Sequence, residues 1–175
     1  MIYRNLGRTG LKTSILSLGT GGARRLGQDT GLGIDGQKRL VAKALEHGIN
    51  TFDTSCQYGN SETILGKCLT GVDRESYILS TKWSPQNVEN TDKDLSKALE
   101  KSVTESLKRL RTNHIDVMLF HGITPTIYKP VVDKLYPTMI RLKEKGYLRH
   151  IGFSTKFTVD PGQDAALISL ENDPE

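Results

Sequence analysis

Apolar residues recur along this chain in two alternating rhythms. Short runs of four to six apolar or β-branched residues are each followed by a longer stretch with helical spacing. Ile15–Gly19, Ile49–Phe52, Tyr77–Thr81, Ile115–Phe120 and Leu148–Phe153 read as strands. Between them, Leu40, Val41, Ala44 and Leu45 share one helix face, and Gly48 stops that helix. Asn60 is placed to cap a helix bearing Ile64, Leu65, Cys68 and Leu69, with Gly71 beyond it. Thr91-Asp92-Lys93-Asp94 has the pattern of a capping box, and Leu95, Leu99, Val103, Leu107 and Leu110 follow at helical intervals. A helix over Val131 to Lys145 should be kinked or split at Pro137 and end at Gly146. Asp160-Pro161 reads as a cap and first helical position, opening a helix through Ala165, Leu167 and Leu170. Ahead of all this, Arg4 to Ser14 reads as a β-hairpin turned at Gly7 and Gly10.

Five strand–helix units in succession argue for an α/β fold with a parallel sheet. No linker, low-complexity tract or charge block divides the chain, so residues 1–175 are expected to form a single domain. Leu16, Leu18, Ile49, Phe52, Val117, Leu119, Ile151 and Phe153 are expected to point to the inside of the sheet's curve.

Polar residues stand where these strands end. Asp53-Thr54 and then Tyr58 follow strand two, Lys82 strand three, His121 strand four and Ser154 strand five. They recur at about one β-α-β repeat, roughly 30–40 residues, which places them on one sheet edge, the carboxyl ends where such folds bind ligands. Singly, each has an ordinary reading: a cap, a loop tyrosine, a solvated strand end, a structural histidine. Together they make an acid system. A phenol with a free pKa of ~10 is a poor proton donor at neutral pH. A nearby lysine makes a phenol more acidic, an aspartate holds that lysine, and a neutral histidine can orient a carbonyl.

Leu45-Glu46-His47-Gly48-Ile49-Asn50-Thr51-Phe52-Asp53-Thr54, followed by Tyr58-Gly59-Asn60-Ser61-Glu62, resembles the signature of the aldo-keto reductases. Tyr3 to Leu11 resembles that family's N-terminal hairpin, and Arg149 to Ser154 its fifth strand. The resemblance runs from residue 3 to at least 170. It implies a (β/α)8 TIM barrel, here partial: five parallel strands behind the hairpin, against a typical length of ~250 residues for the whole barrel. It implies hydride transfer between NADPH and an aldehyde or ketone carbonyl, or the reverse. The family tetrad falls on Asp53, Tyr58, Lys82 and His121, and a nicotinamide contact on Ser154, with Asp53 also bordering the cofactor. Thr155 stands where the family often has an asparagine. Tyr58 would be the general acid, Lys82 would make it more acidic, Asp53 would pair with Lys82, and His121 would place the carbonyl. The length implies an N-terminal portion of such a barrel, inactive by itself, with open edges through which it could self-associate. The alternative is a non-catalytic barrel of the same kind that binds nicotinamide or a partner protein.

Composition narrows the rest. The chain is 36% hydrophobic and 25% charged, as expected for a globular protein. Its net charge of +4 comes from 24 basic and 20 acidic residues that intermingle, so neither nucleic acid nor a membrane surface is an expected partner. No apolar run is long enough for a transmembrane helix and no leader is visible. With two cysteines, Cys56 and Cys68, a reduced, cytoplasmic protein is expected. His47, His114, His121 and His150 have no zinc-ligand spacing, so no metal is expected. Gly31-Leu32-Gly33-Ile34-Asp35-Gly36 imitates a dinucleotide-binding fingerprint. That motif must follow its strand at once, and Ala23 to Thr30 intervene, so a loop is expected here. Cys56 reads as a loop residue. Trp83 could line a substrate pocket or pack beneath it.

Overall fold

The computed structural model describes residues 1–85 and 94–172. An antiparallel hairpin pairs β1 (Tyr3–Asn5) with β2 (Lys12–Ser14). Gly7 and Gly10 turn it with φ of 51° and 73°, values that a side chain would resist. Then β3 (Leu18–Gly19), β4 (Thr51–Asp53), β5 (Ile78–Trp83), β6 (Ile115–Ile123) and β7 (Leu148–Thr155) form one sheet in chain order, every neighbouring pair parallel. Between them run α1 (Gly33–Glu46), α2 (Ser61–Cys68), α3 (Leu95–Leu110), and α4 (Pro125–Lys134) with α5 (Tyr136–Glu144); α6 (Asp164–Asn172) follows β7.

Two apolar clusters hold the helices to the sheet. Phe52 and Leu79 are fully buried against Val41, Leu65, Leu69 and Leu110. Ile115, Met118 and Phe120 of β6 are buried against Leu99, Val103, Met139 and Leu142. Burial of each such side chain contributes about 1.5–3 kcal/mol.

Register corrects the expected inside positions. Leu18 pairs with Phe52 and Phe52 with Leu79, so these three share the helix-facing side. Met118 pairs with Ile151 and Phe120 with Phe153, so Ile151 and Phe153 also face the helices. Val117 and Leu119 point the other way, as expected, alongside Ser80 and Lys82 of β5. In a parallel strand covered on both sides the apolar run is nearly continuous, and its parity is invisible until a neighbour sets it.

Element ends also shift. Ile15 and Leu16 are 56% and 58% exposed and belong to no sheet strand; only Leu18–Gly19 pairs there. β4 runs one residue further than its apolar run, and β5 to β7 run two or three further. Asp53, Lys82, His121 and Ser154 therefore lie inside the last residues of β4 to β7 rather than after them. The helical stretch before β7 starts at Pro125 and breaks at Leu135, with Pro137 in the first turn of α5. Asp160 does cap α6, but from a distance: its carboxylate accepts from Asp164 N (2.9 Å) and Ala165 N (3.1 Å), and the helix opens at Asp164. Asn60 occupies the N-cap of α2 without a side-chain cap bond. Asp94 caps α3 through Lys97 N; residues 91–93 of the expected capping box lie outside the described residues. The fingerprint-like glycines are separated from β3 by a 3-10 helix at Arg25–Thr30, so they form a loop entry to α1 and not a strand-to-helix phosphate turn.

Candidate active site

Strand pairing brings the ion pair together. Gly19 pairs with Asp53 and Asp53 with Ser80, which places Lys82 one pleat beyond. Its Nζ donates to Asp53 Oδ1 at 2.7 Å, to Oδ2 at 2.6 Å and to the Thr54 carbonyl at 2.8 Å. All three ammonium protons are thus used. Lys82 is 7% exposed, whereas the Asp53 side chain keeps 33% of its surface. Burying a cation is tolerable only with such a partner set.

Tyr58 sits on the loop between β4 and α2, held by Tyr58 N to Ser55 O and Ser61 N to Tyr58 O, both 3.1 Å. Its ring lies 5.2 Å from Lys82 Nζ, within cation–π range. It meets the His121 ring edge-to-face, centroids 5.9 Å apart at 82°. Room for the ring is made by Gly21: a Cβ there would stand 2.7 Å from Tyr58 Cε2. From outside, Gln28 ties the loop down, its amide donating to Ser61 Oγ (2.8 Å) and its carbonyl accepting from Asn60 N (2.9 Å).

His121 faces this group from β6. Its Nδ1 lies 2.9 Å from Gln57 Oε1. Burial first, and then the Lys82 charge, hold its imidazole below the ordinary histidine range, with Asp53 pulling weakly the other way. The ring is therefore neutral at neutral pH. Just beyond it the β6–β7 pairing slips, at Gly122, whose φ is 75°. This irregularity frees Gly122 N to donate to Ser154 Oγ at 3.2 Å. Ser154 pairs with His121 across the same edge. The Thr155 hydroxyl is already committed, donating to Gln163 Oε1 at 2.6 Å.

So the fold brings Asp53, Tyr58, Lys82 and His121 to one edge with Ser154 beside them. Sequence reasoning missed Gly21, Gln28 and Gln57; a glycine pair opposite the tyrosine loop was the available signal for the first. It also gave Glu62 no role. Glu62 is 1% exposed and accepts from Thr81 Oγ1 (2.7 Å), Ser106 Oγ (3.2 Å) and Arg109 Nε (2.7 Å), locking α2, β5 and α3 behind Lys82. Trp83 packs partly buried against the β6 core. Burial raises the Cys56 thiol above its ordinary range, consistent with an unreactive loop residue. Among the described residues no cluster of three or more His, Cys, Asp or Glu is arranged to hold a metal, and no helix is long and apolar enough to cross a membrane.

Residues 17–170 match the Aldo/keto reductase family, and the chain belongs to it. It is 36% identical over 156 residues to an L-galactose dehydrogenase of Arabidopsis thaliana, covering 86% of this chain and 47% of that protein. It is 35% identical over 146 residues to a Schizosaccharomyces pombe protein named "Putative voltage-gated potassium channel subunit beta", covering 79% and 42%. Among solved structures it superposes on the holo form of aldo-keto reductase AKR11C1 from Bacillus halodurans with a TM-score of 0.72 and 28% identity, over 89% of this chain and 50% of that one. The five parallel strands correspond to part of the (β/α)8 barrel of those neighbours. The chain spans about half the length of the curated relatives it matches.

Proposed function

We propose that residues 1–175 form one domain that carries the proton-transfer machinery of a cytoplasmic NADPH-dependent oxidoreductase. It reduces aldehyde or ketone carbonyls to alcohols or runs the reverse reaction. One observation carries this reading: a phenol, a buried lysine–aspartate pair and a neutral imidazole converge at the carboxyl edge of a parallel sheet. Ser154 fits the nicotinamide end of the cofactor. Its oxygen is taken by Gly122 N–H, which leaves its own O–H to donate to a carboxamide oxygen. Thr155, bonded to Gln163, replaces no second amide contact. Asp53 has one-third of its side chain open and unused lone pairs, which suits a bordering hydroxyl. When bound, the cofactor supplies hydride.

This chain's residues supply the rest. Tyr58 donates its phenolic proton to the carbonyl oxygen as the adjacent carbon is reduced. The Lys82 charge, 5.2 Å from the ring, favours the phenolate that remains, and Asp53 keeps that lysine in place. His121 offers one ring nitrogen to the substrate. NADPH- or NADH-dependent reduction of a panel of aldehydes and ketones by a chain that carries these residues within a completed barrel tests the proposal, and no turnover above background across that panel rejects it.

The similarity to the protein named as a channel β subunit favours a second reading, a barrel that binds nicotinamide or a protein partner without turnover. It predicts cofactor binding with no reduction. The edge strands β3 and β7 have one sheet partner each among the described residues. A cavity of about 540 Å³ opens along β7, lined by Phe120, Val131, Tyr136 and Phe153, and Leu167 and Leu170 stand exposed on α6. We propose that a polypeptide of these 175 residues alone is inactive, self-associates through that flank and binds NADPH weakly. Sedimentation showing a monodisperse monomer, with micromolar NADPH affinity, overturns that statement.

A further inference from the structure

Glu62 stands in the first turn of α2, just after the Tyr58 loop, and is 1% exposed. The fully buried Thr81 donates from Oγ1 to its Oε1 at 2.7 Å, while Ser106 Oγ (3.2 Å) and Arg109 Nε (2.7 Å) of α3 donate to Oε2. The two oxygens do different work. The α3 donors satisfy a carboxylate that would otherwise be costly to bury. Thr81 belongs to β5 and immediately precedes Lys82; alternation along the strand puts its side chain on the helix side and the lysine on the other. β5 is paired on both sides, with β4 and β6, so it is a fixed frame for whatever is tied to it.

The Tyr58 loop is thereby held to β5 at both ends. At its start Ser55 Oγ (3.3 Å) and Cys56 N (3.4 Å) reach the Lys82 carbonyl, both at long range. At its end Ser61 N donates to the Tyr58 carbonyl (3.1 Å), and the next residue is Glu62 with its 2.7 Å bond from Thr81. Among the described residues that bond is the loop end's single hydrogen bond to the strand of Lys82. Tyr58 lies between the two anchors, its ring 5.2 Å from Lys82 Nζ, and the effect of a charge on a phenol falls off with separation. We propose that Glu62 and Thr81 are positioning residues: their bond ties the tyrosine loop to the lysine strand and so sets the distance over which Lys82 acts on Tyr58. This rests on the oxidoreductase reading above and assigns two further residues to its proton donor.

Around the ring stand Lys82 of β5 with its partner Asp53 of β4, His121 of β6, and Arg25, whose Nη1 would lie 3.7 Å from a Cβ at Gly59. The test leaves all of these in place. In a completed barrel that carries these residues and is labelled with 13Cζ-tyrosine, NMR titration follows Tyr58, with Y58F identifying its signal. T81V removes the hydroxyl at nearly constant volume. The loop end should relax by roughly an ångström, and the Tyr58 titration should move up by about half a pH unit. For carbonyl reduction, kcat should fall by about tenfold, with KM within about twofold of wild type. T81S keeps the hydroxyl and should restore both. S106A removes a bond from the other Glu62 oxygen, which Arg109 still holds, so it should lower the denaturation midpoint without moving the titration. Should T81V not fold, T81A removes the same bond with a smaller side chain. A titration that loss of the hydroxyl leaves in place overturns the proposal, as does a T81S that behaves like T81V, or an S106A shift as large as that of T81V. If wild type reduces no carbonyl compound the oxidoreductase reading falls, while the titration still decides whether this bond holds the phenol against the lysine.

Discussion

Asp53 and Asp116 both stand on sheet strands and both hold cations, at opposite ends of the sheet. Asp116, near the start of β6, is 1% exposed. One of its oxygens takes Arg149 Nη1 (3.0 Å), and the other takes Arg74 Nη2 and the Leu79 backbone N–H (2.8 Å). Arg149 continues to Glu75 at 2.9 and 3.0 Å. His114 stands 3.6 Å off, its imidazole held low by burial and by the two arginines, against the pull of Asp116 and Glu75. At the other end Asp53 has one cation and an open flank. The buried carboxylate and the half-open one therefore differ in what is left over. At the amino edge Asp116, Arg74 and Arg149 are bonded to one another and to their neighbours and tie β5, β6 and β7 together, while the buried His114 Nε2 is left without a hydrogen bond. The carboxyl edge leaves a phenol, an imidazole nitrogen, a serine hydroxyl and a half-open carboxylate facing outward. Spare hydrogen-bonding capacity, and not charge, separates the end at which we propose the chemistry from the end that holds the strands together.

The contrast is most severely tested at Tyr58. Tyr58→Phe removes the proton but keeps the ring, so carbonyl reduction should fall by about 10²–10⁴-fold. Stability should stay within ~0.5 kcal/mol. Steady-state rates and urea unfolding on the same preparation check both halves, and near-normal turnover removes Tyr58 as the acid.

At the closed end the reverse holds. Asp116→Ala strands two arginines and the Leu79 N–H, and should lower unfolding free energy by ~3–5 kcal/mol. The rate per folded molecule should hardly change. A large loss of kcat with an unaltered denaturation midpoint would erase the distinction between the two ends.

Gly21→Ala probes the open end without touching a titratable group. Its Cβ would stand 2.7 Å from the Tyr58 ring and push it aside. Misplacement on the scale of an ångström should reduce kcat by about 10–100-fold, with less destabilisation than Asp116→Ala. Equal effects of the two variants on unfolding would show that Gly21 serves packing rather than ring placement.

The smallest effect is in pH. His114, His121 and His150 all titrate below the free value of 6.5 in the folded chain, each chiefly because burial disfavours the cation. As pH falls below 6.5 the unfolded chain takes up these protons first, so stability is complete above 6.5 and declines below it. Unfolding free energy measured from pH 7.5 down to 5.5 should fall, and His114→Asn should flatten the fall. A rise in stability over that interval would contradict the burial argument.

Much of this was written in the chain. Helical spacing, strand runs and the separations of Asp53, Lys82, His121 and Ser154 depend on periodicity and repeat length, which are one-dimensional properties. They suffice to place those residues on one sheet edge. What periodicity cannot carry is parity and contact across strands. Phe52, Ile151 and Phe153 turn toward the helices because Leu18, Met118 and Phe120 on neighbouring strands oblige them to, and no apolar run announces that. Asp160 caps α6 from outside it because the chain folds back through Pro161 and Gly162. Gly21 opposite Tyr58, Glu62 behind Lys82 and Gln57 on His121 are distant or unremarked in sequence, and they acquire meaning only when the loops close over the sheet edge. Sequence alone determined which chemical groups are present and roughly where on the sheet they fall. Tertiary structure decided which of their hydrogen-bonding valences are used up and which stay open, because satisfaction of a polar group is settled by three-dimensional neighbours within about 3 Å.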